Sequence, residues 1–138
     1  MTVRIFSTAA RRILDHAARD HPREACGLLL GRDGTIAEAV EAANVADDPT
    51  TSFEIDPASL LRVHREARRG GQALLGWYHS HPNGRPRPSA ADAARADEPG
   101  RLWLIVAAGS FRVFAAGEGP IEGRFVEVPH EIVVAGMG

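Results

Sequence analysis

The sequence predicts one α/β domain built on a largely antiparallel sheet. Three observations predict it. The chain has 138 residues, the ordinary size of a single domain. Its apolar fraction of 44% and charged fraction of 25% are those of a soluble globular protein. Short strand signals follow one another along it, interrupted by three helical stretches. A chain of this length buries roughly two-thirds of its unfolded surface and can fold without crosslinks.

Residues 7–19 read as a helix: Ser7 or Thr8 is suited to cap it, and Ala10, Ile13, Leu14 and Ala17 recur at helical spacing. His21-Pro22 ends it, because a residue before proline is driven out of the α region. Cys26-Gly-Leu-Leu-Leu-Gly31 reads as a buried strand. Asp33-Gly34 is a hairpin signal leading to a second strand at about 35–41. After a polar loop, Phe53-Glu-Ile55 reads as a short strand. Asp56-Pro57 opens a second helix, with aspartate as cap and proline in the first turn. That helix stops at Gly70-Gly71. Ala73–Tyr78 is the next strand, and Pro82–Pro88, with Asn83-Gly84 inside it, is a loop. Ser89 to about Ala96 forms a third, short helix. Leu102–Ala107, Phe111–Ala115 and Arg124–Val128 complete the strands. Neither repeat nor linker divides the chain, so residues 1–138 are read as one domain.

Composition excludes several functional classes. The formal net charge is −2 although all sixteen basic residues are arginine, so nucleic acid is not expected as a partner. The longest apolar run, Leu102 to Ala108, has seven residues, far below the ~20 that cross a bilayer. Arg4, Arg11 and Arg12 are followed by no signal-type apolar stretch, and Cys26, the single cysteine, has no internal disulfide partner. A cytoplasmic protein without membrane contact is expected.

The chemistry concentrates in His79-Ser80-His81-Pro82, Ser89 and Asp92. His79 and His81 lie two apart at the end of a strand, so their side chains share a face and reach one ion. Asp92 returns from the first turn of the next helix. Two histidines and a carboxylate suit a catalytic zinc, which takes three protein ligands and keeps one position open. A structural zinc would want a fourth ligand. Glu24, just before the Cys26 strand, is the candidate base, and Ser89 is placed to donate to an oxyanion. Taken without the histidines, Ser89 and Asp92 also form a helix capping box, a role compatible with the catalytic one.

Glu24, His79-Ser-His81, seven residues, Ser89, two residues, Asp92: this pattern resembles the motif of the JAMM (MPN+) metallopeptidases at every position. Glu24-Ala-Cys-Gly27-Leu-Leu-Leu-Gly31 and Asn44 with Phe53-x-Ile-x-Pro57 are similar to the same family. The resemblance covers about residues 4–116, the motif-bearing core, leaving a C-terminal strand and tail at 117–138. It implies a JAMM/MPN-like, cytidine-deaminase-like fold, a curved and largely antiparallel sheet flanked by helices. It further implies one Zn²⁺ per chain held by His79, His81 and Asp92, with Glu24 as general acid/base and Ser89 as oxyanion donor. Family members are zinc-dependent hydrolases of peptide or isopeptide bonds, often after the C-terminal glycine of ubiquitin or ubiquitin-like proteins. Only nine residues separate Asp92 from Leu102. That resembles the compact bacterial branch, which acts on ubiquitin-like sulfur carriers with diglycine tails and in some members releases an amino acid such as cysteine.

Two other functions compete: a non-catalytic MPN-type interaction module, and a cysteine hydrolase built on Cys26 with His79 or His81. A zinc deaminase is discounted because its Pro-Cys-x-x-Cys ligands are absent. Cys26 in its leucine-rich strand reads as a small buried hydrophobe. Of Trp77 and Tyr78, one is expected in the core and the other beside a substrate groove. Arg85 and Arg87 read as solvated, with contact to a substrate carboxylate or to an acidic patch on a carrier protein as an outside role for one of them. His16, His21, His64 and His130 read as helix-surface or loop residues. A homodimer is left open.

Overall fold

The computed structural model describes residues 1–135, apart from the Arg68 side chain. In chain order the described elements are β1 (Val3–Phe6), α1 (Ser7–Asp20), β2 (Cys26–Arg32), β3 (Thr35–Ala42), α2 (Pro57–Gly70), β4 (Ala73–Ser80), α3 (Ala90–Arg95), β5 (Leu102–Ala107), β6 (Ser110–Ile121), β7 (Phe125–Val128) and β8 (His130–Val133). The strands form one sheet in the order β7-β6-β5-β4-β2-β3-β1-β8.

The sheet is mixed. Hairpin partners β2–β3, β5–β6 and β6–β7 are antiparallel, as is β2–β4. The β4–β5, β1–β3 and β1–β8 pairs are parallel. The expected antiparallel pairs are therefore present, and parallel pairing enters where a helix or a long excursion separates the two strands in sequence. Phe53-Glu-Ile55 is not a strand; it contributes a single bridge, Ile55 to Asn44. β8 joins the sheet at its edge beside β1, away from β4.

The elements form for local reasons that the sequence carries. Asp56 caps α2 by accepting from the Ala58 amide, Pro57 fits its first turn, and Gly71 closes it at φ 74°. α1 differs from expectation at its start: Phe6 is the capping residue and neither Ser7 nor Thr8 makes a cap hydrogen bond. β1 runs directly into α1, and Ser7 is already helical.

Two apolar layers sandwich the sheet. On one face Ala9, Ala10 and Ile13 of α1 pack on Leu29, Tyr78, Leu104 and Val113. On the other, Cys26, Phe53, Trp103, Ile105 and Phe125 form a second cluster, with Leu28, Leu30, Val63 and Leu74 beside α2. Gly27 and Gly76 permit close approach: a Cβ at Gly27 would overlap the Tyr78 ring, and one at Gly76 would overlap the Leu102 backbone of β5. Among the described residues, no helix is long and apolar enough to cross a membrane.

Candidate metal centre

The site lies at the end of β4, in the middle of the sheet. Alternation sends Tyr78 and Ser80 to one side and His79 and His81 to the other. The His81 amide continues the ladder past the strand end by donating to the Val106 carbonyl at 2.8 Å. The two imidazoles converge, Nε2 to Nε2, at 2.9 Å. Asp92 enters from α3 and touches both, with Oδ1 at 3.3 Å from His79 Nε2 and Oδ2 at 3.2 Å from His81 Nε2. All three side chains are buried.

Asp92 is held by the capping box at the start of α3. The Ser89 amide donates to Asp92 Oδ2 at 2.9 Å, and the Asp92 amide donates to Ser89 Oγ at 3.1 Å. The capping-box reading of Ser89 is therefore present. Its hydroxyl oxygen accepts as a cap, leaving the proton free to donate.

Glu24 is placed from behind. Ser80, opposite His79 and His81 in alternation, accepts from the Ala25 amide at 2.8 Å and donates its own amide to the Ala25 carbonyl at 3.0 Å. The Glu24 amide donates to the Pro49 carbonyl, and Asn44 Nδ2 donates to the Glu24 carbonyl at 2.9 Å. So pinned, a Glu24 carboxylate oxygen and one ring nitrogen each of His79 and His81 lie within 4.8 Å of one another, a group able to hold a metal ion.

Two ligand trios thus share the histidines, and electrostatics separates the carboxylates. Burial raises Glu24 to about 7, with nearby Asp92 adding to the rise. Burial would also raise Asp92, but hydrogen bonds from His79 and His81 outweigh it and hold its carboxyl well below the ordinary range. Asp92 is the permanent anion touching both imidazoles, and Glu24 is the group that exchanges a proton near neutrality.

The donor set fits zinc. The Nδ1 of His81 faces the Arg85 carbonyl at 2.8 Å, so it carries the proton and a neutral His81 presents its lone pair at Nε2. Three electron-pair donors spaced 2.9–3.3 Å apart repel unless a cation or shared protons lie among them. The edge of a tetrahedron with zinc–ligand distances near 2.05 Å is about 3.3 Å.

Several neighbours carry no sequence signal of their own. Phe53 stacks on His79 with centroids 4.2 Å apart, and Trp103 meets the same imidazole edge-on. Arg95 donates to the Phe53 carbonyl and sits over its ring. Asn44 and Phe53 fall inside the stretch that resembles the family, without a role attached. Tyr78 is the core member of its pair, while the half-buried Trp77 lines a groove with Ile55, Leu60 and Trp103. Arg85 and Arg87 lie outside the ligand cluster; Arg85 is exposed. His16 corrects an expectation. It is buried, not on the helix surface, with Nδ1 at 2.7 Å from the Tyr78 hydroxyl and Nε2 at 3.1 Å from Asp20.

Comparison with known proteins agrees with this geometry. Residues 7–118 match the model of prokaryotic homologues of the JAB domain. The chain is 39% identical over 99 residues to a desampylase of Haloferax volcanii, covering 67% of this chain and 71% of the relative. It is 33% identical over 93 residues to a CysO-cysteine peptidase of Mycobacterium tuberculosis, covering 66% of this chain and 63%, less than two thirds, of that protein. A solution structure from Desulfitobacterium hafniense superimposes with a TM-score of 0.82 at 28% identity, covering 96% of this chain and 94% of that one. With the fold, the His79–His81 pair and Glu24 in register, the chain belongs to the prokaryotic JAB domain family, homologous to the JAMM metallopeptidases.

Proposed function

We propose that this protein is a zinc-dependent hydrolase that cleaves a peptide or isopeptide bond at the C-terminus of a ubiquitin-like or sulfur-carrier protein, in the cytoplasm. The observation that carries the reading is the convergence of His79, His81 and Asp92 within 3.3 Å beside a buried Glu24. The relatives named for desampylation and for CysO-cysteine cleavage support the substrate class.

His79, His81 and Asp92 would hold one zinc per chain. The chemistry a bound zinc supplies is polarisation of the scissile carbonyl and acidification of the attacking water. Glu24, titrating near 7, takes the proton from that water and delivers it to the leaving nitrogen. Ser89 donates its hydroxyl proton to the oxygen that becomes negative. The cavity lined by Glu24, His81, Ser89 and Asp92 is about 240 Å³. An extended diglycine tail has the narrow cross-section to enter it, whereas a folded chain is excluded.

Cys26 does not favour the rival nucleophile. Its side chain is buried, its Sγ faces the Ala42 carbonyl at 3.9 Å, and burial pushes the thiol up to about 12. Metal content per chain, measured by plasma mass spectrometry on protein purified without chelator or nickel, tests the reading. About one zinc is expected, lost in His81→Ala. Protein that stays zinc-free after reconstitution would replace the hydrolase reading with that of an interaction module.

A further inference from the structure

We infer that Arg95 selects leaving groups bearing a free α-carboxylate, so that the preferred bond joins a carrier's C-terminal glycine to a single amino acid. The inference rests on the hydrolase reading above and adds the class of leaving group to it.

Arg95 lies in the last turn of α3, three residues after Asp92 and therefore on the same side of the helix. One guanidinium N–H donates to the Phe53 carbonyl, and Cζ stands 5.7 Å from the Phe53 ring centre. A guanidinium has five N–H donors, so most of its capacity is unspent. Arg95 takes part in none of the ion pairs among the described residues. Yet it lines the cavity that holds Glu24, His81 and Asp92, and it is the one arginine of the described residues to do so. Arg85 and Arg87 do not.

Hydrolysis breaks the carbonyl carbon–nitrogen bond. The water oxygen stays with the glycine as a carboxylate, and the nitrogen departs as an amine after taking a proton from Glu24. When the leaving group is an α-amino acid, its carboxylate carbon lies two bonds from that nitrogen, about 2.5 Å away. The carboxylate must then occupy the cavity that holds Glu24, where Glu24 and Asp92 would both repel it. A lysine side-chain leaving group brings no anion there. A planar guanidinium fork on the cavity wall answers the first case, by bidentate pairing, and has nothing to answer in the second.

The test uses N-acetylated peptides with one common Gly-Gly sequence. They are extended by alanine as the free acid, by alanine carboxamide, by aspartate carboxamide, or by the Nζ of Nα-acetyl-lysine amide. With zinc-loaded wild type, kcat/KM for the free acid should exceed that for alanine carboxamide about 10- to 100-fold, chiefly through KM. Arg95→Gln should bring the ratio to about one, and Arg95→Lys should restore part of it. In a Glu24→Gln background, quenching of Trp77 and Trp103 fluorescence should give the same ratio in binding without turnover. Equal handling of acid and amide by wild type, an aspartate carboxamide that matches the free acid, or an Arg95→Gln that lowers every substrate alike overturns the inference. In the last case Arg95 merely props Phe53. Failure to cleave any of the four overturns the hydrolase reading itself, and the fluorescence ratio still decides whether Arg95 reads the α-carboxylate.

Discussion

The Phe53 ring lies nearly flat on the His79 imidazole, with centroids 4.2 Å apart and planes 20° from parallel. Metal-binding histidines are usually oriented by a hydrogen bond from the second ring nitrogen. His81 has such a bond, to the Arg85 carbonyl, but His79 Nδ1 is buried with no partner among the described residues. Packing therefore holds the His79 ring: Phe53 on its face, Trp103 at 5.8 Å edge-on, and the His81 ring beside it.

Phe53→Ala should then loosen the metal site as well as the core. Apparent zinc affinity should fall about tenfold or more, the usual cost of losing an orienting neighbour. Competition against a chromogenic chelator checks it. A Phe53→Ala protein that is folded and binds zinc as tightly as the parent would show that the stack does not orient His79.

Glu24→Gln separates the two carboxylates. It should keep zinc and lose about 10²- to 10⁴-fold in kcat, whereas Asp92→Asn should lose the zinc. In metal-free protein the raised Glu24 makes a second, pH-dependent prediction. Its folded value, about 7, exceeds its ordinary 4.5, so the native state binds the proton more tightly than the unfolded chain does. The stability this contributes is complete below about 4.5 and is lost as pH rises through 7. Glu24→Gln should accordingly raise the melting temperature of the apoprotein relative to wild type at pH 8 and make less difference at pH 5. A tenfold difference in proton affinity between the folded and unfolded states corresponds to about 1.4 kcal/mol. Equal effects at the two pH values would contradict the buried-carboxylate account.

Cys26 should behave as core. With its thiol raised to about 12 by burial, the thiolate fraction at neutral pH is negligible. Iodoacetamide should leave the native protein unmodified and active, alkylating it only in denaturant, while a zinc chelator abolishes turnover. Inactivation by alkylation of folded protein would restore the cysteine-hydrolase reading.

What the sequence reveals follows the range of the interactions. α2 is legible because Asp56, Pro57 and Gly71 fix its ends within a turn. His79 and His81 are legible as a pair because a strand period of two is local, and Asp92 because a cap ties it to Ser89 three residues away. His16 is not, since its partner Tyr78 is 62 residues distant and the helix pattern alone cannot say which polar residue the sheet will bury. β8 is missed because its parallel pairing with β1 spans nearly the whole chain. Arg95 likewise acquires meaning only once Phe53, 42 residues earlier, is folded against it.

Asn44 is the most connected of these long-range residues. Its Nδ2 donates to the Glu24 carbonyl at 2.9 Å and to the Ser52 carbonyl at 3.0 Å. Its Oδ1 accepts from the amides of Ala46 at 3.0 Å and Glu54 at 3.1 Å. One side chain thus ties the backbone of the base to the loop that presents Phe53. Asn44→Asp keeps the shape and the acceptor but sets a carboxylate oxygen against two carbonyls, so it should be the more harmful of two substitutions that both preserve volume or reduce it. Asn44→Ala should cost about 1–3 kcal/mol in stability from polar groups left unpaired. Because Asn44 makes no hydrogen bond to His79, His81 or Asp92, both variants should retain zinc while kcat falls, since a displacement of about 1 Å in a catalytic group can cost roughly 10²-fold. Zinc content and kcat measured on the same preparations check this. Loss of metal in step with activity would place Asn44 in the support of the histidines instead of Glu24.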